Sequence, residues 1–559
     1  MTARPWAVHL RRPGRATIIA LSAAGLVAAS LTLAPARPAA ALDNGVARTP
    51  PMGWNDWNSF GCNVSESLVK QMADTIVSKG LAAVGYQYVV VDDCWFNPNR
   101  DSAGNLQGNS SRFPSGMKAL GDYLHGKGLK FGIYQVPGTK TCAQGTGAYS
   151  GATGSQGHEQ QDARQFAAWG VDYLKYDWCS GSGTINDQVS TFAKMRDALA
   201  ATGRPIVFSI NPNSFHAITG PSRNWGDVAN QWRTTEDITS SWDTNHANSY
   251  PMGIRNIVAV NAPLSSYAGP GHFNDPDMLE VGVGQLTDTE ARAHFAMWAV
   301  MAAPLIMGND LRSASANTLS ILTNRALIAI DQDSLGLQGV QLSDDGTRRV
   351  LAKKLSNGDV AVALFNGGSS ATTVSTTASA AGLSGTSFAL RDVWTDAATT
   401  TSGAVSATVP AHGAVVYRVS RTGTSPSPTT PSPTTPSPTT PSPTTPSPTT
   451  PSPTTPSPSV TPTGGCSATF TAPDPWSTGF VGNVTVTAGR AITGWRVTLT
   501  LPSGVSVANA WNATFSATSG TVTASNAAYN GTLGAGQSTT FGFQGNGSPA
   551  GVTVSCAAA

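Results

Sequence analysis

Along the first 335 or so residues, short apolar runs alternate with amphipathic stretches, at a strand-to-strand spacing of roughly 35 to 45 residues. Tyr88–Val91, Leu129–Tyr134, Val171–Tyr176, Ile206–Ser209 and Ile257–Val260 are short, mainly apolar runs that read as strands buried in a parallel sheet. Between them, Ser65–Lys79, Met117–Lys127, Glu159–Trp169, Ile185–Ala201 and Thr287–Met301 carry helical spacing. Some 290 residues of this alternation (42–336) predict an α/β fold, a (β/α)8 TIM barrel. A doubly wound sheet is the alternative, but no glycine-rich phosphate loop follows the first strand.

The pattern then changes. Between 337 and 421, Val350–Leu355, Val360–Phe365 and Ala414–Val419 predict an antiparallel β-sandwich domain. Residues 422–465 are a Pro/Ser/Thr-rich linker with six consecutive copies of Ser-Pro-Thr-Thr-Pro at 427–456, too polar to bury a core. Residues 466–556, rich in Thr, Val and Gly, predict a last all-β module. At the other end, 1–41 has the form of a signal peptide. Arg4, Arg11, Arg12 and Arg15 precede an apolar stretch from Ala16 to Leu33, and Ala39-Ala40-Ala41 offers small residues for cleavage. The Arg11-Arg12 pair leaves the export route open.

Charge and cysteine narrow the classes. The first 41 residues hold five arginines and no acid, so the remainder has 29 basic and 32 acidic residues, a net of −3. A basic footprint for nucleic acid is absent, and no long apolar run remains for a membrane span once the signal is removed. Six cysteines in an exported chain point to disulfides. Cys466 and Cys556 bracket the last module and are expected to pair. Cys62, Cys94, Cys142 and Cys179 allow three pairings. No CxxC or HxxxH spacing supports zinc, so no metal or other cofactor is expected.

The polar residues gather at predicted strand ends, where barrel active sites assemble. Trp54 and Trp57, Asp92 and Asp93, Tyr134, Lys175 and Asp177, Arg233 and Asp237, and Asp275 and Asp277 all fall there. Acids accept hydrogen bonds from sugar hydroxyls, and aromatic faces stack on pyranose C–H surfaces. Asp177 and Asp237, on the ends of neighbouring strands, would face each other as the carboxylate pair of a glycosidase. Adjacent Asp92-Asp93 needs a ligand or counter-charge to tolerate burial, and Ca²⁺ there is the alternative to a sugar.

Met52-Gly53-Trp54-Asn55-Asp56-Trp57-Asn58, Val91-Asp92-Asp93-Cys94-Trp95, Leu174-Lys175-Tyr176-Asp177, Trp232-Arg233 through Asp237-Ile238, and Asn274-Asp275-Pro276-Asp277-Met278 closely resemble glycoside hydrolase family 27. Met301-Ala302-Ala303-Pro304-Leu305 and Ile330-Asp331-Gln332-Asp333 continue the likeness, which spans about residues 45 to 420. The resemblance implies a secreted, retaining α-galactosidase acting on terminal α-galactosides of oligosaccharides and galactomannan. Asp177 would be its nucleophile and Asp237 its acid/base, with Lys175 and a polar surround keeping Asp177 ionised. It also implies that Asp92 and Asp93 hold O4 and O6, Lys175 the O3/O4 side and Arg233 the 2-position. Trp57 and Tyr134 would shape the sugar platform, and Asp277 would join the binding set. Cys62 would pair with Cys94, and Cys142 with Cys179. Where the family carries Cys-Glu-Trp after the fifth strand, this chain has Ser209-Ile210-Asn211-Pro212-Asn213, with Asn211 placed at the sugar. β-L-Arabinopyranosidase and α-N-acetylgalactosaminidase activities are the alternatives within the family.

Trp476-Ser477-Thr478-Gly479-Phe480, Ile492-Thr493-Gly494-Trp495, Ala510-Trp511-Asn512-Ala513, Tyr529-Asn530-Gly531 and Phe541-Gly542-Phe543 resemble a family 2 carbohydrate-binding module. That resemblance implies an aromatic strip of Trp476, Trp511 and Tyr529 on insoluble polysaccharide: cellulose, with xylan or chitin as alternatives. Trp495, in an apolar run, is expected in the core.

Overall fold

The computed structural model describes residues 42, 44–179, 183–213, 218–422, 465–472, 479–511, 513–527 and 530–559. Residues 1–41, expected as a signal segment, and nearly all of the linker lie outside them. Among the described residues, parallel strands β1 (Met52–Asn55), β2 (Tyr88–Val91), β3 (Lys130–Gln135), β4 (Tyr173–Asp177), β5 (Val207–Asn211), β6 (Gln231–Arg233), β7 (Phe273–Asp275) and β8 (Leu305–Met307) follow one another around a ring. β8 pairs with β1, and Leu279, just past β7, bridges to Met307, which closes the barrel.

All five expected helices form, at Glu66–Ser78, Gly116–Gly126, Glu159–Trp169, Ile185–Ala200 and Asp288–Val300. Local chemistry fixes their starts. The Ser65 side chain accepts from Leu68 N–H, and Thr184 with Asp187 and Thr287 with Glu290 make capping boxes. Leu68, Val69, Met72, Ala73 and Ile76 form the buried stripe of the first of these helices.

One expected strand is absent. Ile257–Val260 lies inside a helix, Ile254–Asn261, whose buried residues are Ile254, Ile257, Val258 and Asn261. That is the i, i+3, i+4, i+7 face of a helix; a β-branched run suggested a strand because its four residues were too few to show the period. The seventh strand is Phe273–Asp275 instead.

The antiparallel domain holds a six-stranded sheet with β9 (Val340–Asp344), β10 (Arg348–Lys354), β11 (Val360–Asn366), β13 (Phe388–Asp392), β14 (Ala398–Thr401) and β16 (Gly413–Arg421). A two-stranded ribbon of β12 (Thr372–Thr377) and β15 (Ala404–Val409) accompanies it. β11 is buried along its whole length, and its period of two explains why. Val360, Val362 and Leu364 belong to the sandwich core, whereas Ala361, Ala363 and Phe365 join the barrel's core. The barrel helix Asp288–Val300 is correspondingly buried from Glu290 to Val300 on nearly every side.

The C-terminal unit is a pair of four-stranded sheets between Cys466 and Ala558. The Cys466–Cys556 disulfide is present and links the strand Cys466–Thr471 of one sheet to Thr553–Ala558 of the other. Trp495 is fully buried, stacked on Phe541 at 5.1 Å, with its indole N–H donated to the Asn530 carbonyl. Of the expected polysaccharide strip, Trp476, Tyr529 and the Trp511 side chain lie outside the described residues.

Trp242, in the loop after β6, joins barrel to sandwich. Its ring stacks between Phe365 at 5.5 Å and His412 at 4.9 Å, and its N–H reaches the Gly367 carbonyl at 3.3 Å. Removing a buried indole leaves a void that neighbours fill only in part. Trp242→Ala is expected to cost roughly 3–5 kcal/mol of unfolding free energy. An unchanged midpoint in chemical denaturation would count against this join.

Candidate active site

The C-terminal strand ends enclose a cavity of about 640 Å³, within the size range of small-molecule sites. Period-two alternation decides what reaches it. On β4, Lys175 and Asp177 point into the barrel, while Tyr176 faces outward against Phe192 and Phe208. On β1, Trp54 falls on the outward face, fully buried in the core with its N–H on the Asn309 carbonyl. It is a packing residue, not part of the pocket. Asn55 faces inward and donates to Asp92 at 2.6 Å.

Asp92 Oδ2 also takes a hydrogen bond from Lys175 Nζ at 2.7 Å, and that ammonium lies 3.9 Å from Asp177. Breaking one partner of so buried a pair costs roughly 3–5 kcal/mol, because the other charge stays behind without compensation. Asp92 Oδ1 accepts from the Asp93 N–H, and Asp93 accepts from the backbone N–H groups of Cys94 and Ala143. The oxygens of this acid pair are thus engaged by N–H donors. Burial nevertheless pushes the Asp93 carboxyl up to about 6. Asp56, beneath it, accepts from the Asp92 N–H, and burial followed by the nearby Asp92 charge raises it well above the ordinary range.

Asp177 is the most enclosed acid of the β4 end. Its carboxylate and the sulfurs of Cys142 and Cys179 lie within 4.8 Å of one another. Those sulfurs are joined as a disulfide, so this is a carboxylate against a covalent strap rather than a thiolate metal site. Cys62 and Cys94 are joined as well, so both implied pairings are present. Burial raises Asp177 to about 6 against the opposing pull of Lys175. The surround is therefore less ionising than expected from the lysine alone.

Asp237 is not on the neighbouring strand. It follows β6, and β5 lies between β4 and β6. Its side chain is 56 % exposed, against 10 % for Asp177. Arg233 Nη2 bridges Asp237 at 3.0 Å and Asp277 at 2.9 Å. Burial opposes the charge of this guanidinium, but the acids around it, Asp277 and Asp237 first, hold its pKa above the usual value. Asp277 adopts a left-handed backbone (φ 81°), held by its own carboxylate, which accepts from the N–H groups of Ile238 and Met278.

Trp57, Asp92, Asp93, Tyr134, Lys175, Asp177, Arg233, Asp237 and Asp277 all line the one cavity. Asn211 does not; it pairs in register with Asp177 and borders a smaller cavity of about 30 Å³, shared with Lys175, Arg233 and Asp277. Among the residues absent from the sequence expectation that line the main cavity are Glu236, Tyr250 and Glu280. Burial raises Glu280 to about 7, although the Asn58 amide donates to it. Its position three residues beyond Asp277 was the available signal. Tyr250 sits in a loop with no periodicity to mark it.

Among the described residues, no helix is long and apolar enough to cross a membrane. The family described as Alpha galactosidase A matches residues 49–333, the Alpha galactosidase C-terminal beta sandwich domain 345–419, and the Cellulose binding domain 466–558. Alpha-galactosidase A of Cellvibrio japonicus is 44% identical over 67% of this chain and 93% of its own length. An alpha-galactosidase of Cyamopsis tetragonoloba is also 44% identical, over 67% of this chain and 87% of its own. The crystal structure of alpha-galactosidase I from Mortierella vinacea is 34% identical, with a TM-score of 0.61 over 68% of this chain and all of that one. With its barrel, its sandwich and its acid-lined pocket, the chain belongs to the alpha-galactosidases of glycoside hydrolase family 27 and carries a cellulose-binding domain at its C-terminus.

Proposed function

We propose that this enzyme is a secreted, retaining α-galactosidase that removes terminal α-D-galactosyl residues from oligosaccharides and galactomannan. The observation that carries the reading is the contrast between the two acids in one pocket: Asp177 enclosed beside Lys175, and Asp237 on the rim with Arg233. Asp177 attacks the anomeric carbon while Asp237 gives its proton to the departing glycosidic oxygen, leaving galactose esterified to Asp177. Asp237 then takes a proton from water, which attacks the same carbon and frees both the sugar and Asp177. Two displacements restore the starting configuration.

Galactose is favoured over its 5-unsubstituted relative by the acid pair. Asp92 and Asp93 together offer acceptors for two hydroxyls, O4 and the hydroxymethyl O6, whereas an arabinopyranose lacks the latter. Lys175 serves O3/O4, Arg233 the 2-position, Trp57 and Tyr134 the ring, and Asn211 supports the strand end beneath. The C-terminal domain would hold the enzyme on plant cell-wall polysaccharide through Trp476, Trp511 and Tyr529. Export through the 1–41 segment is consistent with three disulfides.

Hydrolysis of three aryl glycosides tests the glycone. The α-galactoside is expected to be cleaved fastest, ahead of the α-N-acetylgalactosaminide and the β-L-arabinopyranoside; either of the latter leading would overturn the choice. Asp177→Asn should abolish turnover, and Asp237→Asn should slow it by roughly 10²–10⁴-fold. Activity surviving in the Asp177 variant would remove the nucleophile assignment.

The nucleophile works as a carboxylate, so its protonation sets the acid limb. With Asp177 held up at about 6 by burial, kcat/KM should fall about tenfold per pH unit below that value. Lys175→Met removes a cation that favours the charged form and should move the limb further up. A limb at the ordinary aspartate value in both proteins would contradict this.

For the C-terminal domain, sedimentation with insoluble cellulose should deplete the full chain from solution. The Trp476→Ala/Trp511→Ala variant should stay in the supernatant; equal depletion would rule out the strip.

A further inference from the structure

The rim of the pocket carries an aromatic side chain that the catalytic reading leaves unused. Tyr250 is 64 % exposed, the most exposed large apolar side chain among the described residues, yet it lines the same cavity as Asp177 and Asp237. A single exposed aromatic is ordinary by itself; the mounting of this one is not. Two residues on, the Met252 N–H donates to the Asp237 carbonyl at 3.0 Å, and the Met252 carbonyl accepts from the Thr239 N–H at 2.8 Å. The Pro251 carbonyl accepts from the Thr244 hydroxyl at 2.7 Å and meets His246 Nδ1 at 2.9 Å. Asn248 accepts from the Glu236 N–H at 2.9 Å and donates to the Thr234 carbonyl at 3.3 Å. The loop is therefore stitched to the chain on both sides of Asp237.

Such an arrangement has a clear physical use. A tyrosine has only two side-chain torsions to freeze, and a loop already ordered adds little further entropic cost on binding. An aromatic face standing in water beside a proton donor offers a surface to the C–H face of a pyranose. Thr239 and Ser240, also on the cavity wall, bring hydroxyls to the same rim. Ser240 is backed by Gly284, where a Cβ would fall 1.8 Å from the Ser240 hydroxyl oxygen, so only glycine lets the two loops close together.

We propose that Tyr250 is the stacking platform of a leaving-group subsite, binding the hexopyranose from which the glycone is cut. This rests on the catalytic reading above: if Asp237 protonates the departing oxygen, the sugar bearing that oxygen lies on the Asp237 side of the pocket. The ligand class is a hexose unit of an oligosaccharide or of a polysaccharide backbone.

Kinetics of the full-length enzyme on an α-galactosyl disaccharide and on α-galactosyl fluoride test it. The fluoride delivers the glycone with no second sugar to bind. Tyr250→Ala is expected to lower the ratio of kcat/KM for the disaccharide to that for the fluoride about tenfold, on the order of 1.4 kcal/mol, chiefly through KM. Tyr250→Phe, which keeps the ring face, is expected to recover most of that ratio. A loss of folded enzyme cancels in the ratio. An unchanged ratio in Tyr250→Ala, or a Phe variant as impaired as the Ala variant, would overturn the subsite. If the unsubstituted enzyme cleaves neither substrate, it is the catalytic reading that falls, and the subsite with it.

Discussion

Two cations hold the centre of this protein together. Seven carboxylates line the main cavity, and Lys175 and Arg233 are the basic side chains among its lining. Acids crowded into a half-dry pocket repel one another and lose hydration, so each must be paired, hydrogen-bonded or neutralised. Lys175 ties Asp92 to Asp177, and Arg233 ties Asp237 to Asp277. What the cations do not balance appears as raised pKa values: Asp93 and Asp177 are pushed up to about 6 and Glu280 to about 7, each chiefly by burial. The seven carboxylates make the pocket rich in acceptors, which suits a polyhydroxylated ligand.

The fold places these groups by covalent and packing means that lie close behind them. The Cys142–Cys179 bond ties the β4 end to the short helix Cys142–Thr146, whose Ala143 N–H serves Asp93. A tether across 37 residues acts mainly by restricting the unfolded chain, but here it also packs against the Asp177 carboxylate. On the other side, the loop bearing Asp237 is anchored farther along by Trp242, clamped between Phe365 and His412 of the sandwich. His412 in turn meets Glu290 of a barrel helix at 2.7 Å. The antiparallel domain thus completes the barrel's core and steadies one wall of the pocket.

Much of this was readable from local pattern. A run such as Tyr88–Val91 is short, apolar and followed by two acids, and strand, burial and strand-end chemistry all follow from neighbours in sequence. The same locality misled at Ile257–Val260, where β-branched residues imitate a strand and the helical face shows only when Ile254 and Asn261 are included. It also grouped Trp54 with the site, although one residue's shift along β1 turns a side chain from the pocket to the core. Trp495 went the other way: an apolar neighbourhood marked it as core, and it is fully buried.

By itself, the sequence determined the barrel, the sandwich, the Cys466–Cys556 bridge from its position, the other two disulfides through family likeness, and the nine acids, bases and aromatics that meet in one cavity, because strand alternation and motif spacing are properties of adjacent residues. Only the tertiary structure decided that β5 separates the two acids, that Asn211 lies in a side cavity, that Glu236, Glu280 and Tyr250 join the pocket, and that Asp177 sits near 6 instead of lower. Those outcomes depend on burial and on distances between residues far apart in the chain, and neither quantity is carried by any local stretch of it.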